Sequence, residues 1–138
     1  MASNRVGSRK VAAARRTVLF DSSFLIAVME HPGPWREDML EKIGSFQPVV
    51  IQPVYDELAR LAGGKNRASR YASLAKEMVD RGELLLQKPH GSGMADDELI
   101  SLALDESALV ATLDAELIRQ LRALRIGIIA LSGGRVSI

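Results

Sequence analysis

The sequence predicts an α/β domain with a central, mostly parallel sheet, and three observations carry that expectation. Short apolar runs alternate with longer stretches of helical periodicity, the pattern left by repeated strand and helix units. Acidic residues recur where a predicted strand stops or a predicted helix starts, which in an open α/β sheet is the crevice where ligands bind. The length of 138 residues, with 47% hydrophobic and 25% charged residues, describes one domain large enough to bury a core without disulfides or a structural metal.

Residues 1–16 carry Arg5, Arg9, Lys10, Arg15 and Arg16 and no acid. They read as a flexible basic arm suited to a polyanion, with a solubilising tail as the plain alternative, and residues 17–138 as the folded domain. The first strand is expected at 18–20, an apolar run that ends in Asp21, followed by a helix over 22–30. His31-Pro32-Gly33-Pro34 breaks the chain before a second helix at 35–43. A strand at 49–52 leads into a helix at 54–62, whose buried stripe is Val54, Leu58 and Leu61. Gly63-Gly64 turns the chain into a helix at 67–81, and a strand follows at 84–87. Pro89-His90-Gly91-Ser92-Gly93 forms a loop entering the helix at 96–106, whose core side is Leu99, Ile100, Ala103 and Leu104. A strand at 109–112, a helix at 115–125, a strand at 127–131 and a weak last strand at 135–138 complete the series.

Four of these junctions bear acids: Asp21, the pair Asp56 and Glu57, the pair Asp96 and Asp97, and Asp114. One alone is an ordinary helix cap. Four converging at the carboxyl edge of one sheet would repel each other unless a cation held them together, and carboxylates suit hard divalent ions such as Mg2+ or Mn2+ rather than zinc. Such a site activates water and stabilises charge on a phosphodiester. Asp21, leaving the sheet directly, is the central candidate. Asp56 and Glu57 point about 100° apart on a helix; Glu57 borders the buried stripe and is favoured, although it also stands at helical spacing from Arg60. Asp96 shares the core face of its helix at the N-terminus, with Asp97 an auxiliary ligand or a cap. Thr112 lies two residues before Asp114, where its hydroxyl can bond a carboxylate or a phosphate.

Basic residues flank these acids. Arg60, Lys65, Arg67 and Arg70 surround the Gly63-Gly64 turn, and Arg119, Arg122 and Arg125 recur along one side of a helix. A solvated face explains either group alone; beside an acidic centre they fit a phosphate backbone. With no cysteine, thiol nucleophiles, disulfides and cysteine-bound zinc are excluded. No apolar run reaches the roughly 20 residues needed to span a bilayer, and the first residues lack a signal-peptide core, so a cytoplasmic protein is expected. His31 and His90 flank turns and read as loop residues. Trp35 and Tyr71 could stack on bases, but with 4% aromatics the core has first use for them.

In order and spacing these motifs resemble the PIN domain nucleases, from about Thr17 to the C-terminus. The family pattern is an apolar strand ending in Asp then Ser or Thr, a helix carrying Glu, a helix opening with Asp and bearing apolar and Ala positions, and a strand closing in Thr-x-Asp. Here those positions are Asp21 with Ser22, Glu57, Asp96 with Leu99 and Ala103, and Thr112 with Asp114. The stretches ADDELISLA and VATLDAELIRQLR look especially like the branches related to ribosome-processing and toxin-type PIN ribonucleases. Ser23 and Leu113 stand where the family often has Asn; serine keeps the hydrogen bonding and leucine does not.

The resemblance implies a three-layer α/β/α sandwich and a single-strand endoribonuclease dependent on Mg2+ or Mn2+. Asp21, Glu57, Asp96 and Asp114 would be catalytic, with Asp21, Asp96, Asp114 and Asp97 holding metal and Ser22 and Thr112 supporting them. From their charge beside the acids, Arg60, Lys65, Arg67, Arg70, Arg119 and Arg122 are expected to contact RNA. The resemblance further implies a homodimer and an antitoxin or ribosome-assembly partner. Two readings compete. A phosphoacceptor receiver domain needs an acidic pair after its first strand and a lysine after its last, and this chain has neither. A PIN-fold RNA-binding or assembly module without catalysis is the stronger rival.

Overall fold

The computed structural model describes residues 15–88 and 94–138. Residues 1–14 of the basic arm, and His90 with its loop, lie outside the described residues. β1 (Arg16–Phe20) leads to α1 (Ser22–Glu30) and α2 (Trp35–Ile43), then β2 (Phe46–Ile51), α3 (Gln52–Ala62) and α4 (Arg67–Asp80). β3 (Leu85–Gln87), α5 (Ala95–Glu106), β4 (Leu109–Ala111), α6 (Ala115–Ala123), β5 (Ile128–Ser132) and β6 (Arg135–Ser137) complete the chain.

The strands form one sheet in the order β3-β2-β1-β4-β5-β6. All pairs are parallel except β5 with β6. Consecutive residues Val18, Leu19 and Phe20 of β1 are fully buried, as are Val110 and Ala111 of β4. Burial of neighbours that point to opposite faces requires helices on both sides of the sheet, which makes a three-layer α/β/α sandwich. The core includes an aromatic cluster in which Phe20 meets Phe24 and Trp35 edge to face, with centroids 5.5 and 5.4 Å apart. Trp35 is thus a core residue, as its rarity in the composition implied. No helix among the described residues is long and apolar enough to cross a membrane.

Several boundaries differ from the sequence expectation for identifiable reasons. β1 opens earlier than expected, at Arg16, because Arg16 pairs with Phe46. β2 was expected from residue 49 but begins at Phe46 and runs through Pro48. Pro48 lies ahead of Val49, where β3 joins, so β2 is still an edge there, the place in a sheet that tolerates proline. α3 starts at Gln52 because Pro53 occupies its first turn, where the missing N–H costs nothing. β5 and β6 form a hairpin whose turn residues, Gly133 and Gly134, have φ of 58° and 79°, a geometry that glycine adopts without strain.

The hairpin is tied down by a contact that no local pattern announces. Arg135 donates from Nε and a terminal nitrogen to Asp38 at 2.7 and 2.8 Å, 97 positions away. The Val136 N–H adds a third bond to the same carboxylate. Asp38 is buried in α2, and Arg135 holds its carboxyl below the ordinary range. The fork of two parallel bonds fixes β6 against α2.

Candidate active site

The strand order turns outward in both directions from the β1–β4 pair. That makes the carboxyl ends of β1 and β4 the switch point where such sheets open a crevice. Asp21 leaves β1 there, and its N–H donates to the Ala111 carbonyl at 2.9 Å. It occupies the N-cap position of α1 but makes no side-chain cap bond. Instead its Oδ2 accepts from the Thr112 hydroxyl at 2.8 Å and from the Ser23 hydroxyl at 2.6 Å.

Thr112 is fully buried. Its Oγ1 also accepts the Asp114 N–H at 3.1 Å, while Ser23 Oγ accepts the Leu113 N–H at 2.9 Å. Two hydroxyls therefore lock the β1 and β4 exits into one unit. Leucine at 113 does not leave a gap in this network, because its backbone N–H is the group engaged. Thr112→Val keeps the shape but strands the Asp114 N–H and removes a donor to Asp21, and a net loss of about 1–3 kcal/mol is expected. Chemical denaturation at neutral pH checks this, and an unchanged midpoint would remove Thr112 from the scaffold of the site.

A cavity of about 940 Å³ opens at this point, lined by Asp21, Ser22, Ser23, Asp56, Glu57, Arg60, Asp96, Asp97, Asp114 and Gln120 among others. The structure thus brings all six acids from the four junctions to one place. Glu57 reaches inward from α3, its Oε1 accepting from the Ser22 hydroxyl at 3.0 Å. Arg60 stands 3.9 Å from its other oxygen, so both the inward reading and the Arg60 pairing describe this side chain. Asp56 is exposed and takes a bond from Gln52 at 2.9 Å; it is further out than Glu57, yet it lines the same cavity. Asp114 caps α6 through Oδ1, which accepts the Leu117 N–H at 2.9 Å. Ser23 and Gln120 were not among the expected site residues. Ser23 carried a signal, as the residue that stands where the PIN family often has Asn and keeps its hydrogen bonding, whereas Gln120 had none.

The acids feel one another. The Asp96 carboxyl is held above the ordinary range, first by burial and then by the charges of Asp21, Asp114, Glu57 and Asp97. A carboxyl raised in the folded state opposes folding once ionised. That cost is absent below its ordinary pKa and fully present above its raised one.

The donor set is all oxygen, the chemistry of a hard divalent cation. Asp21 is 5% exposed, and among the described residues no buried side-chain polar atom lacks a partner. Its Oδ2 carries both hydroxyl bonds, and the carboxylate lines the cavity. Among the described residues no three acid or histidine side chains stand close enough to enclose a cation. The arrangement is an open bowl of carboxylates rather than a closed cage.

The basic residues fall in two places. Arg60 is at the rim of the acidic cavity. Lys65, Arg67 and Arg70 line a separate concavity at the α3–α4 turn. Arg119 and Arg122 are exposed on α6, Arg119 paired with Glu116, and neither lines the acidic cavity. Tyr71 receives a bond from Arg67 Nε at 3.4 Å. His31 is exposed and away from the acids.

Known proteins share this fold. A family model described as a PIN like domain matches residues 18–134. Among solved structures, the fold is similar to the PIN domain endonuclease Utp24, with a TM-score of 0.75 and 17% identity over 89% of this chain and 90% of that one. It is also similar to VapBC-1 from nontypeable Haemophilus influenzae, with a TM-score of 0.55 and 14% identity over 81% of this chain and 96% of that one. At these identities the structural likeness speaks to the fold. No curated protein matches the sequence.

Proposed function

The chain belongs to the PIN-like domain family, and we propose accordingly that it is an endoribonuclease that hydrolyses phosphodiester bonds of single-stranded RNA with Mg2+ or Mn2+. The observation that carries this reading is the convergence of Asp21, Glu57, Asp96, Asp97 and Asp114 on one cavity at the switch point of the sheet.

Asp21, Asp96 and Asp114 would hold the cation, with Asp97 at the rim. When bound, the ion supplies a water of lowered pKa and charge stabilisation for the phosphodiester. The protein's own groups prepare the site. Ser23 and Thr112 fix the Asp21 carboxylate through Oδ2, so that Oδ1 is the oxygen it would offer to the cation. Ser22 holds Glu57 through Oε1, so that Oε2, which Arg60 faces at 3.9 Å, is the oxygen that would take a proton from attacking water. A flexible single strand can follow the open bowl, whereas a rigid duplex would have to bend to reach its floor.

A second reading has an observation of its own. Asp114 Oδ1 is already engaged as a helix cap, which suits an RNA-binding module of the same fold without catalysis. Cleavage of a single-stranded RNA with Mg2+, Mn2+ or chelator separates the two. The expected outcome is cation-dependent cleavage by wild type and a loss of more than about 100-fold in Asp114→Asn, beyond the 10–100-fold typical of groups that merely orient a ligand. Wild type that binds RNA but cuts nothing with either cation would leave the binding module as the function.

A further inference from the structure

The concavity at the α3–α4 turn has about 540 Å³ and is lined by Gly64, Lys65, Asn66, Arg67, Arg70 and Ser73 among others. Three cations face it, and among the described residues no acid lines it. Elsewhere, Arg36, Arg60, Lys76, Arg81, Arg119 and Arg135 each stand within 4 Å of a carboxylate, whereas Lys65, Arg67 and Arg70 have no such partner among the described residues. Arg67 is instead set over the Tyr71 ring, 5.8 Å from its centroid. Arg67 also feels the charge of Glu30, yet cations gathered around a concavity with no acid among its described lining residues create a local field that draws an anion.

The concavity is also linked to the acidic bowl by a rigid element. α3 carries Glu57 and Arg60 at the bowl, and its last residue, Ala62, lines the concavity. Five helical steps lead from Glu57 to Ala62, which is roughly 7–8 Å along the axis. An anion in the concavity would therefore lie within a few nucleotides of a bond poised over the carboxylates. Arg60, with a side chain 70% exposed, stands between the two.

We propose that the α3–α4 concavity is a backbone subsite, in which Lys65 and Arg70, with Arg67 beside them, grip a phosphate of the RNA strand that crosses the acidic bowl. The inference rests on the RNA-cleaving reading for its ligand, yet it concerns binding and is tested apart from catalysis.

The test is fluorescence anisotropy of a labelled single-stranded oligoribonucleotide across a salt series in chelator, comparing wild type with Lys65→Ala/Arg70→Ala. Both residues are exposed, so the fold tolerates their removal, and neither has Arg67's contact with Tyr71 to confound the result. Lys42→Ala/Arg81→Ala removes the same charge outside the concavity, from two exposed residues, and serves as the control. Each neutralised phosphate contributes about 0.7 to the slope of log K against log salt for a single strand. The cavity variant, which loses two of the three cations that grip this one phosphate, should flatten the slope by up to about 0.7, while the control keeps the wild-type slope. An unchanged slope in the cavity variant, or an equal fall in the control, overturns the subsite. Wild type that shows the expected slopes yet cleaves no RNA with Mg2+ or Mn2+ upholds the subsite and overturns the catalytic reading.

Discussion

Asp21→Asn should lower cation-dependent RNA cleavage by more than about 100-fold, a larger loss than removing a group that only orients a ligand, while the protein stays folded. Asparagine keeps the volume, and its carbonyl oxygen can still accept from Ser23 and Thr112 as Oδ2 does. What it loses is the charge at the floor of the bowl and the carboxylate oxygen it would offer to a cation. Because Asp21 is the leading charge that raises Asp96 after burial, the Asp96 carboxyl should titrate lower in the variant, though still above the ordinary range because burial remains. The variant should then also be somewhat more stable than wild type at neutral pH, where the acids repel, and the gain should vanish as pH falls below the carboxylate range. Cleavage rates, chemical denaturation and an NMR titration of Asp96 read these effects separately. Wild-type activity in the folded variant would remove Asp21 from the mechanism.

Phe20→Ala carries the largest expected cost to stability, about 3–5 kcal/mol for truncating a buried aromatic. Phe20 is fully buried and makes edge-to-face contacts with both Phe24 and Trp35. Its removal therefore opens a void between β1, α1 and α2. Since natural domains hold only about 5–15 kcal/mol in total, this one change should consume a large share of the reserve. Leu85→Ala is the informative contrast, because Leu85 is 53% exposed on the edge strand and should change stability by no more than about 0.5 kcal/mol. Urea unfolding of both variants measures the difference. A loss below about 1 kcal/mol in Phe20→Ala, where large-to-small core changes cost several times that, would mean that the aromatic cluster is not the packed centre of the domain.

Much of this architecture was legible in the chain. Strand and helix types follow from the spacing of apolar residues, a property confined to a few turns of backbone, and every expected element is present. The acids were legible for the same reason: Asp21, Asp96 and Asp114 each sit where one periodicity gives way to another, and in a parallel sheet all such exits fall on one edge. Ends of elements were harder. β2 runs through Pro48 because β3 joins only at Val49, a fact about a neighbour that the local sequence does not contain.

Tertiary structure alone decided which groups meet. Thr112 bonds Asp21 across 91 positions, Ser23 reaches the Leu113 N–H across 90, and Arg135 grips Asp38 across 97. It also decided that Lys65, Arg67 and Arg70 face a concavity apart from the acids, that Asp114 spends one oxygen as a helix cap, and that the carboxylates form an open bowl. Periodicity is set by each residue's immediate backbone and can be read along the chain. The partner of a side chain is set by strand order and register, which are global minima of packing and hydrogen bonding over the whole domain, and a polar residue's spacing from its own neighbours holds no record of them.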